Sequence, residues 1–443
     1  MTTETNDQHS AEELEETWSA LRKAGGRQAY VEQELERRGL AVQRRETQRM
    51  SKRELGEYKR ALKAEAAERK SLMKATWRAY FKHHVVHLGD DIFWSDEWDF
   101  DKYDHPLAEE RAAENDLPKL EKPEHLAEAL GASVAELRWL TFHRDAATQV
   151  HYERFTIPKR SGGVRAIWAP RPKLKAAQRW VLREVVERLP VHGAAHGFIP
   201  GRSTFTNARE HTNSDVVVKM DLRDFFPTVT LPRAKGVFRK AGYREQIATL
   251  LALLCTESPR EVVDVEGETY YVAMGPRCLP QGAPTSPMIT NALCLRLDRR
   301  LTGYCQKMGW RYTRYADDLT FSWESGEVER GPDAPSEPAI GKLIGAVHFI
   351  TGDEGFVVHP DKTRVLRDGA RQQVTGLIVN GPGEPRVPRE TRRMLRAAQH
   401  NVSRGKPLQA GETMETLLGY AAYVYMTDRE LGAELLSSLR ELG

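Results

Sequence analysis

Two adjacent carboxylates, Asp317 and Asp318, lie in the stretch Arg314-Tyr315-Ala316-Asp317-Asp318-Leu319-Thr320-Phe321, at what reads as a tight hairpin between two apolar strands. Neighbouring like charges destabilise each other unless a cation or solvent takes up the charge. A solvated turn is one explanation, because Asp is common in turns. A second acidic strand weighs against it: Val216-Val217-Val218-Lys219-Met220-Asp221 is a strongly β-prone run ending on a carboxylate, followed by Leu222-Arg223-Asp224-Phe225-Phe226. Laid side by side, the two strands would gather three carboxylates. Hard oxygen ligands in that number, with positions left for phosphate, describe a Mg²⁺ site. A pair of ions about 3.5–4 Å apart there would stabilise both the attacking and the leaving oxygen of an in-line phosphoryl displacement.

The chain of 443 residues suggests two or three domains and ample material for a core. It has no apolar run of about 20 residues, and Met1 to Glu16 is polar and acidic without a signal-peptide core, so a cytoplasmic protein with no membrane partner is expected. Cys255, Cys278, Cys294 and Cys305 have no CxxC spacing and read as reduced core residues. Net charge is only +3, but it is unevenly spread: residues 37–82 hold 15 Lys/Arg against 5 Asp/Glu, and residues 90–124 hold 13 acids against 4 bases. That pattern is a basic face followed by an acidic connector.

These elements have to position the carboxylates. Residues 1–123 read as an N-terminal helical extension, with one or two long basic helices between Leu40 and Val86; nucleic-acid phosphates and plain solvent are equally good partners for such a face. His83, His84 and His87 have helical spacing for a metal pair, but without a thiol or a carboxylate at matching spacing a zinc site is the weaker reading. Residues 124–385 alternate helical and β-prone segments, including a hairpin around Ser161-Gly162-Gly163 that carries Lys159 on one arm and Arg165 on the other. Residues 386–443 read as three helices, the first with a basic face of Arg389, Arg392, Arg393, Arg396, His400 and Arg404 that suits phosphate contacts.

Tyr315-Ala316-Asp317-Asp318 resembles the YxDD box of reverse transcriptases, and Asp221 with Phe226 resembles their first catalytic motif. Leu279-Pro280-Gln281-Gly282 resembles the LPQG loop, Phe356 to Thr363 resembles motif D, and Gln373 to Val379 resembles the primer-grip hairpin. Asn207-Ala208-x-x-His211 and Val374-Thr375-Gly376 resemble signatures of one subgroup, the retron reverse transcriptases. The resemblance spans roughly residues 124–443 and implies an α+β right-hand polymerase of fingers and palm (124–385) and short helical thumb (386–443). In this family the resemblance assigns both metals to Asp221, Asp317 and Asp318, with the Leu222 carbonyl assisting. Phe226 would lie under the sugar as a steric gate, Lys159 and Arg165 on the triphosphate, Gln281 against nucleotide and template, and Lys362 as proton donor to pyrophosphate.

The resemblance further implies RNA-directed DNA synthesis from dNTPs with Mg²⁺, or Mn²⁺, which also suits carboxylates. A cognate structured noncoding RNA would serve as template and 2′-hydroxyl primer, leaving a branched RNA–DNA product (msDNA), in anti-phage defence with an effector or toxin protein. The stretch after the palm is too short for an RNase H domain, so host RNase H is expected to remove copied RNA. Two rivals stand beside this reading: another bacterial reverse transcriptase, group II intron-like or defence-associated, and a nucleic-acid-binding antitoxin or scaffold with dispensable polymerase activity.

Overall fold

The computed structural model describes residues 11–94, 104–158, 162–325, 338–406, 408 and 413–442. The chain starts with three helices, α1 (Ala11–Ala24), α2 (Arg27–Arg37) and α3 (Lys52–His83). The region read as one or two basic helices is thus a single one of 32 residues, started by a reciprocal capping box in which the Ser51 hydroxyl accepts from the Glu54 N–H and the Glu54 carboxylate accepts from the Ser51 N–H. Val31, Leu35 and Leu72 form a small core between α2 and α3. His83 stacks on Trp18 and His84 on Tyr80, so these histidines are packed rings rather than metal ligands.

Three short helices come next, α4 (Ala108–Glu114), α5 (Pro123–Ala129) and α6 (Val134–Thr141). The acidic α4 lies against the later helix of residues Leu231–Ala241, where Arg111 donates to the Lys240 carbonyl. After them stand β1 (Ala146–Ala147), then β2 (Tyr152–Pro158) and β3 (Val164–Pro170), paired antiparallel with Ile157 opposite Arg165. They lead to α7 (Pro172–Glu184), α8 (Thr204–Arg209), β4 (Val216–Asp221), α9 (Leu231–Ala241) and α10 (Glu245–Cys255), the last buried on every side from Ile247 to Cys255. The chain continues through β5 (Arg260–Val265), β6 (Glu268–Ala273), α11 (Ser286–Leu293), α12 (Leu295–Lys307), β7 (Arg311–Tyr315), β8 (Asp318–Trp323), α13 (Ile340–Asp353) and β9 (Arg364–Arg367). It closes with β10 (Gln373–Val374), β11 (Leu377–Ile378), α14 (Arg389–Ser403), α15 (Met414–Thr427) and α16 (Arg429–Leu442).

The centre is a four-stranded antiparallel sheet in the order β7-β8-β4-β9. Alternation along a strand sends successive side chains to opposite faces. Val216, Val218 and Met220 of β4, with Leu319, Phe321 and Trp323 of β8, belong to the main core. Val217 belongs to a second core shared with the three C-terminal helices and β10–β11. Lys219 and Asp221 follow Val217 in the alternation, so this second face changes from apolar to charged as it approaches the β7–β8 turn.

Candidate active site

The β4–β8 register pairs Asp221 directly with Asp318, and Asp317 occupies the adjoining turn. The Asp317 carbonyl accepts a hydrogen bond from the Leu222 N–H at 2.9 Å, which ties the turn to the end of β4. Ala316 has φ 56°, a left-handed conformation that costs a non-glycine residue about 1–3 kcal/mol and persists only where its surroundings enforce it. Two features do so. Gly197 lies so close that a Cβ there would sit 2.7 Å from the Ala316 nitrogen, and Arg314 Nη1 donates to the Ala316 carbonyl at 3.2 Å.

Arg314 is the brace of the hairpin. Fully buried, it makes a two-pronged pair with equally buried Asp298 of α12, Nε to Oδ1 at 2.8 Å and Nη2 to Oδ2 at 2.7 Å. Nη1 also reaches Asn291 Oδ1 at 3.0 Å, and the Tyr312 hydroxyl donates to Asp298 Oδ1 at 2.9 Å. Neither Asp298 nor Asn291 stands out in the sequence, because their partner is on another element. A strongly polar residue inside an otherwise apolar helix face was the available signal.

Among the described residues, the carboxylates are less completely met, with one bonded cation, Lys362, shared among the three. Burial pushes Asp317 up to about 6, with the charges of Asp318 and Asp221 adding to the effect. Burial also raises Asp318, while the nearby Lys219 ammonium opposes the shift. Asp221 Oδ1 accepts from Lys362 Nζ at 2.8 Å, and the Asp221 carbonyl accepts from the His359 N–H at 2.7 Å. Lys362 therefore stands where a cation is wanted. Among the described residues no three acidic, His or Cys side chains close on a point as a finished metal cage. The donor chemistry, all carboxylate oxygen, fits a hard divalent cation, and Lys362 would leave Asp221 Oδ1 to admit one.

The other expected site residues are distributed around this point. Phe226 is half-buried, its ring 5.6 Å from Phe225 and 6.5 Å from Phe198, which is itself 6.4 Å from Tyr315. Phe198, 48% exposed and at φ 63°, closes an aromatic rim that sequence reasoning did not assign. The Gln281 carbonyl accepts from the Trp168 N–H of β3 at 2.8 Å, and a Cβ on Gly282 would fall 2.7 Å from the Trp168 carbonyl, so the Leu-Pro-Gln-Gly loop is pressed onto the β2–β3 hairpin. Arg165 is exposed on that hairpin, opposite Ile157, and Lys159 lies outside the described residues. Leu222 is buried beneath the turn.

Two sequence signatures meet in space. His211, fully buried, bridges Ser322 Oγ of β8 and Thr313 Oγ1 of β7, each at 2.7 Å, and burial pushes it down to about 3, so it is neutral. Asn207 Nδ2 donates to Thr375 Oγ1 at 3.5 Å, and that hydroxyl donates to the Thr204 carbonyl at 2.9 Å. Helix α8 and the turn that follows it thus fasten the Val-Thr-Gly turn to the sheet that bears the carboxylates. Beside it a cleft of about 1030 Å³ opens between sheet and C-terminal helices, lined by Lys219, Arg364, Arg371, Gln373, Tyr420 and Tyr423 among others. No described helix is long and apolar enough to cross a membrane.

Residues 157–394 match the family model "Reverse transcriptase (RNA-dependent DNA polymerase)". The chain belongs to the reverse transcriptases, with the right-hand polymerase fold, and within them to the retron group. It is 51% identical over 427 residues to the retron Mx162 reverse transcriptase of Myxococcus xanthus, covering 96% of this chain and 88% of that one. With the retron Mx65 reverse transcriptase of the same organism it shares 44% over 327 residues, 74% of this chain and 73% of the relative. The retron Ec86 reverse transcriptase of Escherichia coli is 29% identical over 74% of this chain and 91% of its own length. The protein is accordingly a retron RNA-directed DNA polymerase; such enzymes work with a cognate RNA template, and reverse transcriptases generally use divalent metal ions.

Proposed function

We propose that this enzyme copies part of a cognate structured noncoding RNA, using a 2′-hydroxyl of that RNA as primer, and holds the resulting branched RNA–DNA product. The observation that carries the chemistry is the pairing of Asp221 with Asp318 beside Asp317, three carboxylates with too little countercharge. Asp221, Asp317 and Asp318 would hold two Mg²⁺ ions, with the Leu222 carbonyl assisting and Mn²⁺ as a substitute. When bound, these ions supply charge neutralisation at the attacking and leaving oxygens of phosphoryl transfer.

The chain's own residues do the rest. Phe226, backed by Phe225 and edged by Phe198, presents a ring against which a ribose 2′-hydroxyl would clash, so deoxynucleotides are favoured. Lys159 and Arg165 meet the triphosphate charge, and Gln281 positions nucleotide and template from a loop anchored on β3. Lys362 leaves Asp221 and gives a proton to departing pyrophosphate. We read residues 1–123 as a helical extension, 124–385 as fingers and palm, and 386–443 as thumb. The thumb's exposed Arg393, Arg396 and Arg404 suit phosphate contacts. Host RNase H trims the copied RNA, an effector protein is the remaining partner, and anti-phage defence in the cytoplasm is the setting.

The test is to express the protein with its flanking DNA and extract copurifying nucleic acid from wild type and Asp317→Ala/Asp318→Ala. A short DNA whose mobility shifts after RNase or debranching treatment, and which is absent from the double variant, supports the proposal. RNA alone from both proteins, with wild type extending an ordinary primed template, leaves a polymerase but removes the branched product.

A further inference from the structure

The outer face of α3 takes no part in the carboxylate site. Lys63, Lys70, Lys74, Trp77 and Phe81 recur at helical spacing along one side of the helix, and all five are exposed. Leu72, Thr76 and Ala79 are buried on the inner side of the same helix, which packs on α1 and α2. Trp77 is 41% and Phe81 36% exposed, an unusual outlay of aromatic surface beside lysines.

Both rings are held from behind. The Arg27 guanidinium of α2 lies 4.6 Å from the Trp77 ring centroid, and Tyr80 stacks on Trp77 at 5.8 Å. Arg138 of α6 lies 3.6 Å over Phe81 and donates to the Phe81 and His84 carbonyls. Arg138 also lines a cleft of about 370 Å³ with Trp139, Arg144, Gln149 and His151, and Trp139 is 48% exposed. The stripe therefore continues from the helix onto the body of the enzyme.

Lysine is depleted at protein–protein interfaces, which disfavours a protein as the occupant. Rigid exposed rings next to a run of cations suit unpaired bases and their phosphates, whereas a duplex keeps its base faces stacked inside. We propose that this outer face of α3, continued through Arg138 into the Trp139 cleft, binds single-stranded nucleic acid. Unpaired bases stack on Trp77 and Phe81, and phosphates lie against Lys63, Lys70 and Lys74. This goes beyond the polymerase reading and does not depend on the carboxylates.

The experiment uses the full chain with its polymerase cleft already filled by an unlabelled primer–template hairpin. Binding of a fluorescein-labelled single-stranded oligoribonucleotide is followed by anisotropy across a series of salt concentrations. Trp77→Ala/Phe81→Ala is expected to weaken binding at least about tenfold, and Trp77→Phe alone to retain most of it. Lys63→Gln/Lys70→Gln/Lys74→Gln is expected to flatten the log–log salt dependence by about 0.7 per lysine. Extension of a pre-annealed primer, unchanged in every variant, reports a folded polymerase. If the aromatic variant loses extension, the lysine variant, altered only at exposed side chains, decides alone. Affinity within about twofold of wild type with an unflattened salt slope overturns the proposal and leaves the stripe to a protein partner.

Discussion

Arg314 and Asp317 sit three residues apart on one hairpin, and the fold treats their charges in opposite ways. The Arg314 guanidinium is fully buried yet met by Asp298, Asn291 and the Ala316 carbonyl. Asp317 is raised to about 6 by burial and by two neighbouring carboxylates, and among the described residues only Asp221 in its group has a cation, Lys362, bonded to it. The first arrangement holds the turn in place. The second leaves negative charge waiting, and that difference separates scaffold from proposed reaction centre where both are charged and sequestered.

The contrast breaks most sharply with Asp317→Asn. Primer extension on an RNA template should fall by at least about 10³-fold, because a charge-stabilising ligand is lost at the reacting phosphate. Stability without divalent ions should move the other way. A carboxyl whose folded pKa is raised from 3.8 to about 6 favours the fold below about pH 4 and loses that advantage as pH rises through 6. The variant should therefore melt at or above the wild-type temperature at pH 7, and the difference should vanish near pH 4 in a thermal melt series.

Removing a satisfied charge has the reverse signature. Asp298→Ala leaves Arg314 buried without its carboxylate and should cost about 3–5 kcal/mol in urea denaturation. Asp298→Leu/Arg314→Met should recover much of that stability without recovering the Ala316 turn, so activity stays low. Stability and activity then separate within one pair.

Phe226 sharpens the comparison from the substrate side. Phe226→Val should leave synthesis from dNTPs largely intact while the preference over ribonucleotides, measured as a ratio of kcat/KM values, drops about 10- to 200-fold.

The smallest effect concerns His211. Its folded pKa is pushed down to about 3, so its contribution is complete above the unfolded value of about 6.5 and is lost as pH falls toward 3. His211→Ala should cost about 1–3 kcal/mol at pH 7, by orphaning the Ser322 and Thr313 hydroxyls, and progressively less toward pH 4.

Local signals carried much of this structure in the sequence. The valine run before Asp221, the hairpin at Asp317 and the three C-terminal helices form where the sequence places them, since each depends on periodicity and turn chemistry over a short window. The pairing of the two acidic strands was legible from their matching carboxylates, but individual side-chain partners across the chain were not. Lys362 meets Asp221 from 141 residues away, and Thr375 meets Asn207 from 168. At His83 and His84 the spacing suited a metal but the weaker standing given to that reading holds: aromatic neighbours brought in by tertiary packing take both rings. The aromatic rim at Phe198 depends on a left-handed backbone that no composition rule assigns to phenylalanine.

The most direct test of the carboxylate cluster is to count bound Mn²⁺ by electron paramagnetic resonance, with primer–template and a non-hydrolysable deoxynucleoside triphosphate present, for wild type and Asp317→Asn. The account predicts a pair of ions per wild-type chain, weakened or lost in the variant. Equal Mn²⁺ binding by both proteins would contradict it.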